Sequence, residues 1–281
     1  MEEIKIKVKY FNLKYTLECG QCFRWKKQNE FYIGVIKDRV IKIKQDGDTL
    51  YVRSNDMNNL ESVVKEYFDL NRDYSEIENR ISKVDKYVEK ALKNTSGMRH
   101  LKQDFFETIV SYIISANNNI PRISKSVNEI SKRYGKEIEF EGEKYYLFPT
   151  PEQLKDVTID DYRACGVGFR DKYIYSTVKK INNNEINLDK MQEMDTQDLR
   201  KELLNLMGIG PKVADCILLF SCQRQEVFPI DVWVERVMKK LYFNDKEVSK
   251  KEILKYACDN FGNDAGIIQQ HLFYNIRENM I

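Results

Sequence analysis

The sequence predicts an α+β protein in which an antiparallel β-sheet with flanking helices precedes an all-helical core. Up to about residue 55, apolar and polar residues alternate, which is the two-residue period of strands with one solvent-exposed face. From Leu60 onward the apolar residues recur every three or four positions, which is the period of amphipathic helices. We therefore expect two domains, a sheet domain with two helices over residues 1–95 and a helical core over residues 96–281.

The sheet domain begins with strict alternation over Ile4–Tyr10, which predicts a first strand. Residues 31–37 and 40–44 repeat this alternation and predict two more strands. The dipeptide Asp46-Gly47 is a hairpin signal that should join residues 40–44 to a strand at 50–52. Because hairpins pair neighbouring strands in opposite directions, the sheet should be antiparallel.

The chain after the sheet is predicted to be helical. Two helices, over about residues 57–69 and 74–94, follow the sheet, and residues 94–97 predict a break. Helical periodicity then continues almost to the C-terminus, interrupted by a polar and aromatic insertion at residues 140–148. After this insertion, Thr150-Pro151 has the residue types of a helix N-cap and a first helical position.

Composition limits the kinds of function. The 46 Lys and Arg residues nearly balance the 44 Asp and Glu residues, so the net charge of +2 does not by itself imply a polyanionic partner. The only histidines are His100 and His271, which argues against a zinc site built from several histidines. No run approaches the roughly 18 to 20 apolar residues of a membrane span, and the first residues lack the apolar stretch of a signal peptide.

The cysteines indicate a reducing compartment. Six of them, at positions 19, 22, 165, 216, 222 and 258, are sparse and irregular, unlike a disulfide framework. Cys19 and Cys22 have CxxC spacing, but no second pair is available to complete a zinc site. We expect an intracellular protein that is not secreted and holds no metal.

The most informative segment is a predicted helix, turn and helix over about residues 203–222. Its turn, Gly208-Ile209-Gly210, precedes Pro211, which opens the second helix. Two glycines permit a tight turn and let the backbone approach a ligand, while the unpaired amides at the start of the helix can bind an anion. Taken alone, so short a motif is more often an ordinary corner between helices.

Lys212 and Asp231 add chemistry to this segment. Lys212 lies in the first turn of the second helix, and Asp231 occupies the N-cap position of a later helix. A lysine in a closed pocket beside a helix N-terminus is suited to act as a neutral nucleophile, and a nearby carboxylate can stabilise developing positive charge. Taken alone, Lys212 would be interpreted as a solvated helix residue and Asp231 as a plain helix cap.

The segments LMGIGPKVADCILLF at 206–220 and VFPIDVWVERV at 227–237 resemble the helix–hairpin–helix and Gly/Pro…Asp signature of base-excision DNA glycosylases, and specifically the 8-oxoguanine DNA glycosylase family. GQCFRW at 20–25, RHLKQD at 99–104, SANNNIPR at 115–122 and GVGFR at 166–170 resemble further motifs of this family. The resemblance covers nearly the whole chain. It implies a bifunctional glycosylase and AP lyase that acts on double-stranded DNA containing 8-oxoguanine opposite cytosine, as a monomer and without a cofactor or an iron–sulfur cluster.

The resemblance also implies roles for individual residues. Lys212 would form a Schiff base with the sugar, and Asp231 would stabilise the oxocarbenium-like transition state. The backbone carbonyl of Gly20 would accept a hydrogen bond from N7–H of the lesion, which guanine lacks. The remaining implied contacts are Cys216, Gln269 and Phe273 around the extruded base, Asn117, Arg122 and Arg170 on the orphaned cytosine, Phe169 as a wedge in the helix, and Gly208 and Gly210 on a phosphate.

Three residues depart from the family pattern. Trp233 replaces a histidine that contacts phosphate in many relatives, Phe169 replaces a tyrosine, and Phe105 replaces a proline.

The residues present argue against three rival functions. An iron–sulfur glycosylase would need four clustered C-terminal cysteines, whereas only Cys258 lies there, and an alkylation-repair glycosylase would lack the lysine. A non-catalytic DNA-binding module would keep the hairpin without the pair of Lys212 and Asp231.

Overall fold

The computed structural model describes residues 2–278 and begins with a five-stranded sheet. Its strands are β1 (Ile4–Lys7), β2 (Lys26–Gln28), β3 (Phe31–Ile36), β4 (Arg39–Asp46) and β5 (Thr49–Ser54). They follow the order β1-β5-β4-β3-β2, and all neighbours are antiparallel. Asp46 pairs with Thr49, so Gly47 and Asp48 form the two-residue loop, and Gly47 takes the positive φ of 56° that this turn requires. The predicted antiparallel sheet and its hairpin are confirmed.

Short elements account for the differences from the prediction. The alternation that predicts a strand up to Tyr10 is paired only up to Lys7, and Tyr10 itself has a φ of 46°. Helix α1 (Leu13–Glu18) and the three-residue β2 were not predicted, because so few residues do not establish a period. Asn12 caps α1 by accepting from the Tyr15 amide at 3.0 Å.

Helices form the rest of the described chain apart from one small hairpin. They are α2 (Leu60–Tyr67), α3 (Tyr74–Ile81), α4 (Lys86–Thr95), α5 (Phe105–Ser115), α6 (Ile120–Tyr134), α7 (Ile159–Ala164), α8 (Asp171–Asn182), α9 (Leu188–Glu193), α10 (Thr196–Leu204), α11 (Pro211–Cys222), α12 (Val232–Tyr242), α13 (Lys250–Phe261) and α14 (Ala265–Arg277). The single helix predicted at 74–94 is two helices, because Asp85 caps α4 by accepting from the amides of Tyr87 and Val88. No helix within residues 2–278 has the length and apolar character needed to cross a bilayer.

The predicted polar insertion is the hairpin of β6 (Glu137–Phe140) and β7 (Glu143–Tyr146). Phe140 packs with Ile33 and Val40 of the large sheet, so this hairpin ties the helical core to the sheet. Thr150 then caps a turn as predicted, accepting from the Gln153 amide at 3.3 Å. That turn is a three-residue 3-10 helix, shorter than the predicted helix.

The three largest hydrophobic clusters of the described residues join most of the elements. One lies under the sheet, a second joins α5, α6, α8 and α11, and a third joins α3 and α4 to α12, α13 and α14. Helices α3 and α4 precede residue 95, yet they bury apolar residues such as Ile81 and Val88 against the C-terminal helices. The predicted domain boundary at residue 95 stays a prediction, and the packing shows close contact across it.

Candidate active site

A cavity of about 410 Å³ opens where α5, α11, α12 and α14 meet. Six of the sequence-predicted site residues line it, namely Gly20, Lys212, Cys216, Asp231, Gln269 and Phe273. They come from positions 20 to 273 of the chain, and the fold brings them to one place. A cavity of this size, mostly apolar with a few convergent polar groups, is typical of a small-ligand or base pocket.

The glycine turn lies between α10 and α11 and gives its two glycines different roles. Gly208 has a φ of 84°, and a Cβ there would stand 2.4 Å from Cδ2 of Tyr173, so both conformation and space require glycine. A Cβ on Gly210 would meet no atom within 4 Å. Gly210 is the N-cap of α11, and Ile209 is buried against the core. The first-turn amides of α11 therefore face an open surface at which an anion can bind.

Lys212 is half-buried in the first turn of α11 and reaches into the cavity. Its Nζ lies 5.5 Å from the ring centroid of Tyr112, within the range of a cation–π contact. Tyr112 is itself fixed, because its ring stacks on Phe220 with centroids 5.9 Å apart and its hydroxyl donates to the Gln21 carbonyl at 3.2 Å. Burial raises the pKa of Tyr112 well above its ordinary value, so this phenol stays neutral.

Asp231 caps α12 as predicted. Its Oδ1 accepts from the amides of Trp233 at 2.9 Å and Val234 at 2.8 Å. Within residues 2–278 no group donates a hydrogen bond to Oδ2. The cap fixes the carboxylate at the cavity wall and leaves one oxygen available to a ligand.

The walls of the cavity suit a flat heterocycle. Cys216 lies one turn after Lys212 in α11, and Phe273 lies four residues after Gln269 in α14. Gln269 is 5% exposed, and its Oε1 has no hydrogen-bond donor among the described residues, which marks an acceptor available to a ligand. Burial raises the pKa of Cys216 to about 11, against the opposing effect of the nearby Lys212, so this thiol is neutral.

Gly20 is held beside this cavity by its neighbours. Gly20 has a φ of 88°, a conformation that favours glycine. Gln21 is fully buried, and its side-chain amide donates to the carbonyls of Thr16 and Arg99. Gln270 donates to the Cys19 carbonyl at 2.8 Å. Hydrogen bonds on both sides of Gly20 fix the orientation of its peptide.

The residues predicted to contact the opposite strand lie outside the cavity, on neighbouring turns. Asn117 and Arg122 are exposed, and Phe169 is 58% exposed. Arg170 differs from the implied picture, because it is only 6% exposed and donates to the carbonyls of Ala116, Asn117 and Val167. These hydrogen bonds stabilise the turn that carries Asn117. Direct contact of Arg170 with a cytosine stays a prediction.

The structure adds three residues to the site. Tyr112 lies within an apolar helix and carries no sequence signal that would separate it from the core. Arg277 lies four residues after Phe273 in α14, so helical spacing would have found it. Trp233, known from the sequence only as a departure from the family pattern, lines the cavity 40% exposed, with the Arg236 guanidinium 5.2 Å from its ring centroid.

Phe105, which replaces a proline of the family pattern, lies outside the cavity. Its side chain is 4% exposed and packs in the cluster around α5, which gives it a structural role.

Between residues 2 and 278 no group of three or more His, Cys, Asp or Glu side chains is arranged to hold a metal ion. Catalysis without a cofactor stays a prediction.

Comparisons with known proteins match nearly the whole chain. The family described as "8-oxoguanine DNA glycosylase, N-terminal domain" matches residues 3–109, and that described as "HhH-GPD superfamily base excision DNA repair protein" matches residues 110–261. A probable N-glycosylase/DNA lyase of Methanothermobacter thermautotrophicus is 30% identical over 98% of this chain and 96% of its own.

Two solved structures agree with this match. The 8-oxoguanine glycosylase/lyase of Clostridium acetobutylicum, solved with double-stranded DNA containing cytosine opposite 8-oxoguanine, is 40% identical over 99% of both chains, with a TM-score of 0.92. MBOgg1, solved with a low-affinity DNA ligand, is 40% identical over 99% of this chain and 96% of its own, with a TM-score of 0.95. The chain therefore belongs to the 8-oxoguanine DNA glycosylase family within the HhH-GPD superfamily of base excision DNA repair proteins.

Proposed function

We propose that this protein excises 8-oxoguanine from double-stranded DNA and then cleaves the resulting abasic site. One observation carries the proposal: Lys212 and Asp231 line the same cavity as Gly20, Gln269 and Phe273 in a chain of this family. The nucleophile and the base-binding groups thus share one pocket, as a reaction at the bond between base and sugar requires.

In the proposed reaction, Nζ of Lys212 attacks C1′ of the damaged nucleotide. The bond between C1′ and N9 breaks, its electron pair leaves with the base, and the base takes up the proton that Nζ loses on bonding to C1′. Asp231 stabilises the positive charge that develops on the sugar, using the carboxylate oxygen that its cap hydrogen bonds leave available. Opening of the sugar gives a Schiff base to Lys212, and loss of a C2′ proton then expels the 3′ phosphate by β-elimination.

The lesion is bound outside the helix in this proposal, because base edge and sugar are not jointly accessible within a duplex. Phe273 and Cys216 cover the two faces of the base, and Gln269 hydrogen-bonds its Watson–Crick edge. The Gly20 carbonyl accepts from N7–H of 8-oxoguanine and repels the N7 lone pair of guanine. One such buried mismatch accounts for a discrimination of about 1–3 kcal/mol.

The exposed residues bind the rest of the DNA. Phe169 wedges into the helix at the site of the extruded nucleotide, and Asn117 and Arg122 contact the orphaned cytosine, with Arg170 bracing the Asn117 turn. The amides after Gly210 hold a phosphate. We propose that the protein acts as a monomer and needs no cofactor. We also propose that it acts inside the cell, where a reducing environment would keep its six cysteines free.

Borohydride trapping tests the proposed nucleophile. Wild-type protein should form a covalent complex with duplex DNA containing 8-oxoguanine opposite cytosine, because borohydride reduces a Schiff base to a stable amine. Lys212→Gln should abolish the complex. Lys255→Gln is the control, since Lys255 is exposed on α13 and pairs with Asp259. Equal trapping by Lys212→Gln would refute the assignment.

The same assay separates the alternatives. A non-catalytic DNA-binding module would bind the duplex and release no base. A glycosylase for another oxidised or alkylated base would release that base from a panel of lesions and leave 8-oxoguanine in place. Each lesion should be placed opposite each of the four bases to measure the dependence on cytosine.

A further inference from the structure

Arg277 lies on the same face of α14 as two residues of the base pocket. Gln269, Phe273 and Arg277 are spaced four residues apart, and all three line the cavity. They therefore form a row along the helix, with Gln269 at one end, the Phe273 ring in the middle and the Arg277 guanidinium at the other end. The guanidinium lies 5.6 Å from the Phe273 ring centroid and 5.0 Å from that of Tyr274.

The hydrogen bonds of this guanidinium leave one nitrogen unused. Nη2 donates to the Glu18 carbonyl at 2.5 Å, and Nε donates to Oε1 of Glu278 at 3.0 Å. Nη1 is buried, and no acceptor for it exists among residues 2–278. It lies 3.0 Å from the point where a Cβ on Gly20 would stand. A buried cationic donor without a partner is costly, so its position beside Gly20 calls for an acceptor supplied by a ligand.

The order of the row fixes which part of a purine would reach Arg277. A base lying on Phe273 with its Watson–Crick edge at Gln269 directs its five-membered ring toward Arg277 and Gly20. In 8-oxoguanine this end carries N7–H, which is assigned to the Gly20 carbonyl, and the adjacent C8 carbonyl. In guanine C8 carries hydrogen, which cannot accept a hydrogen bond.

We propose that Arg277 is a specificity-determining residue whose Nη1 donates a hydrogen bond to O8 of the extruded 8-oxoguanine. This inference rests on the proposed function and names a second recognition group for it. The Gly20 carbonyl reads the proton on N7, and Arg277 reads the oxygen on C8. Guanine offers no N7–H to the Gly20 carbonyl and no oxygen at C8 to Nη1 of Arg277, so the two contacts act together against the undamaged base.

A structural role is the competing explanation, because Arg277 also joins α14 to the end of α1 through Glu18. Substitution of Arg277 by Gln removes the Nη1 donor. The matched control is Arg80→Gln, since Arg80 forms two hydrogen bonds to Asp264 at the other end of α14 and does not line the cavity. Both variants loosen the attachment of α14, and only one changes the pocket.

The test compares single-turnover excision of 8-oxoguanine and of 8-thioguanine, each opposite cytosine. The thio base keeps N7–H and the Watson–Crick edge, but its sulfur is a weak acceptor. Wild type and Arg80→Gln should prefer 8-oxoguanine by the same factor. Arg277→Gln should excise 8-oxoguanine about ten- to a hundredfold more slowly, the effect of losing one charge-assisted hydrogen bond, and should lose most of that preference. The steric effect of sulfur is the same in the wild type and in Arg80→Gln, because Arg80 does not line the cavity.

Binding to a duplex with a stable abasic analogue completes the test, because that ligand has no base. Arg277→Gln should bind it as tightly as wild type does. The O8 assignment is overturned if Arg277→Gln slows excision of both bases equally, or if it weakens abasic binding as much as excision. Absence of 8-oxoguanine excision by the wild type would instead refute the proposed function.

Discussion

At the residue scale, the candidate site depends on groups whose orientation is fixed before any ligand binds. The Tyr112 ring lies 5.5 Å from Nζ of Lys212. This ring is fixed by stacking on Phe220 and by the hydrogen bond from its hydroxyl to the Gln21 carbonyl. Asp231 is held by two backbone amides at the start of α12. Such preorganisation means that the side chains need little rearrangement when charge develops on the sugar.

Replacement of Asp231 by Asn separates its charge from its cap. Asn is as good an N-cap as Asp, so α12 should stay intact and the melting temperature should change little. Loss of the negative charge should slow single-turnover excision by about a hundredfold or more, as for other preorganised electrostatic groups. Asp195→Asn is the control, because Asp195 caps α10 in the same way away from the cavity. Wild-type excision by Asp231→Asn would contradict the proposed role.

At the element scale, the hairpin between α10 and α11 uses its two glycines for different purposes, which yields a paired prediction. Gly208→Ala places a methyl group 2.4 Å from Tyr173 at a φ of 84° and should lower the free energy of unfolding by about 2 kcal/mol or more. The methyl group of Gly210→Ala would contact no protein atom, so the free energy of unfolding of this variant should be close to that of the wild type. Its methyl group occupies the proposed phosphate surface, so it should weaken DNA affinity.

Denaturant melts and DNA titrations of the two variants check this pair. Gly210→Ala is compared with wild type in both measurements, and Gly208→Ala serves as the structural reference. If Gly210→Ala binds duplex DNA as tightly as wild type over a range of salt concentrations, the assignment of the α11 amides to a phosphate is wrong.

Local sequence patterns predict part of the fold and of the site, and tertiary packing determines the rest. Long periodic segments and the Asp46-Gly47 turn predict the sheet, and the segment over 203–222 predicts the hairpin, because their patterns are local. Helix α1 has too few residues to show a helical period in the sequence. Tyr112 lies among buried residues of α5, and the sequence does not distinguish it from them. Only packing distinguishes the face of α5 that meets Lys212.

At the scale of the whole molecule, the near-neutral net charge of +2 is compatible with a DNA partner because the proposed contacts are local. Hairpin amides, a few exposed side chains and one cavity account for them. The cavity takes its walls from α5 and α11 in one hydrophobic cluster and from α14 in another. The integrity of the site thus depends on the packing between clusters, where buried polar groups lie.

Both histidines are buried, and they make global stability depend on pH. His100 and His271 are 2% and 1% exposed, and burial lowers their pKa values to about 4 and about 3. Nδ1 of His100 pairs with Gln225, and Nδ1 of His271 pairs with Thr95, each at 2.7 Å. Both imidazoles are therefore neutral in the folded protein near neutral pH.

The sign of the pH dependence follows from linkage. Below the ordinary histidine pKa of about 6.5, the unfolded chain binds protons that the folded protein excludes, so each histidine reduces stability as the pH falls from about 6.5 toward its folded value. Asp215 acts oppositely, because burial raises its pKa to about 6. The wild-type curve sums these effects, and a variant is needed to isolate one histidine.

His271→Asn isolates that contribution, since the Asn amide nitrogen takes the position of Nδ1, keeps a donor for Thr95 and does not titrate. Between pH 6.0 and 4.5, the free energy of unfolding of the wild type should fall more steeply than that of the variant, by about 1 kcal/mol per pH unit. Urea melts of both proteins at several pH values measure the difference, and the effect of Asp215 cancels because both carry it. Parallel curves would show that His271 is protonated in the folded protein over this range, contrary to its burial.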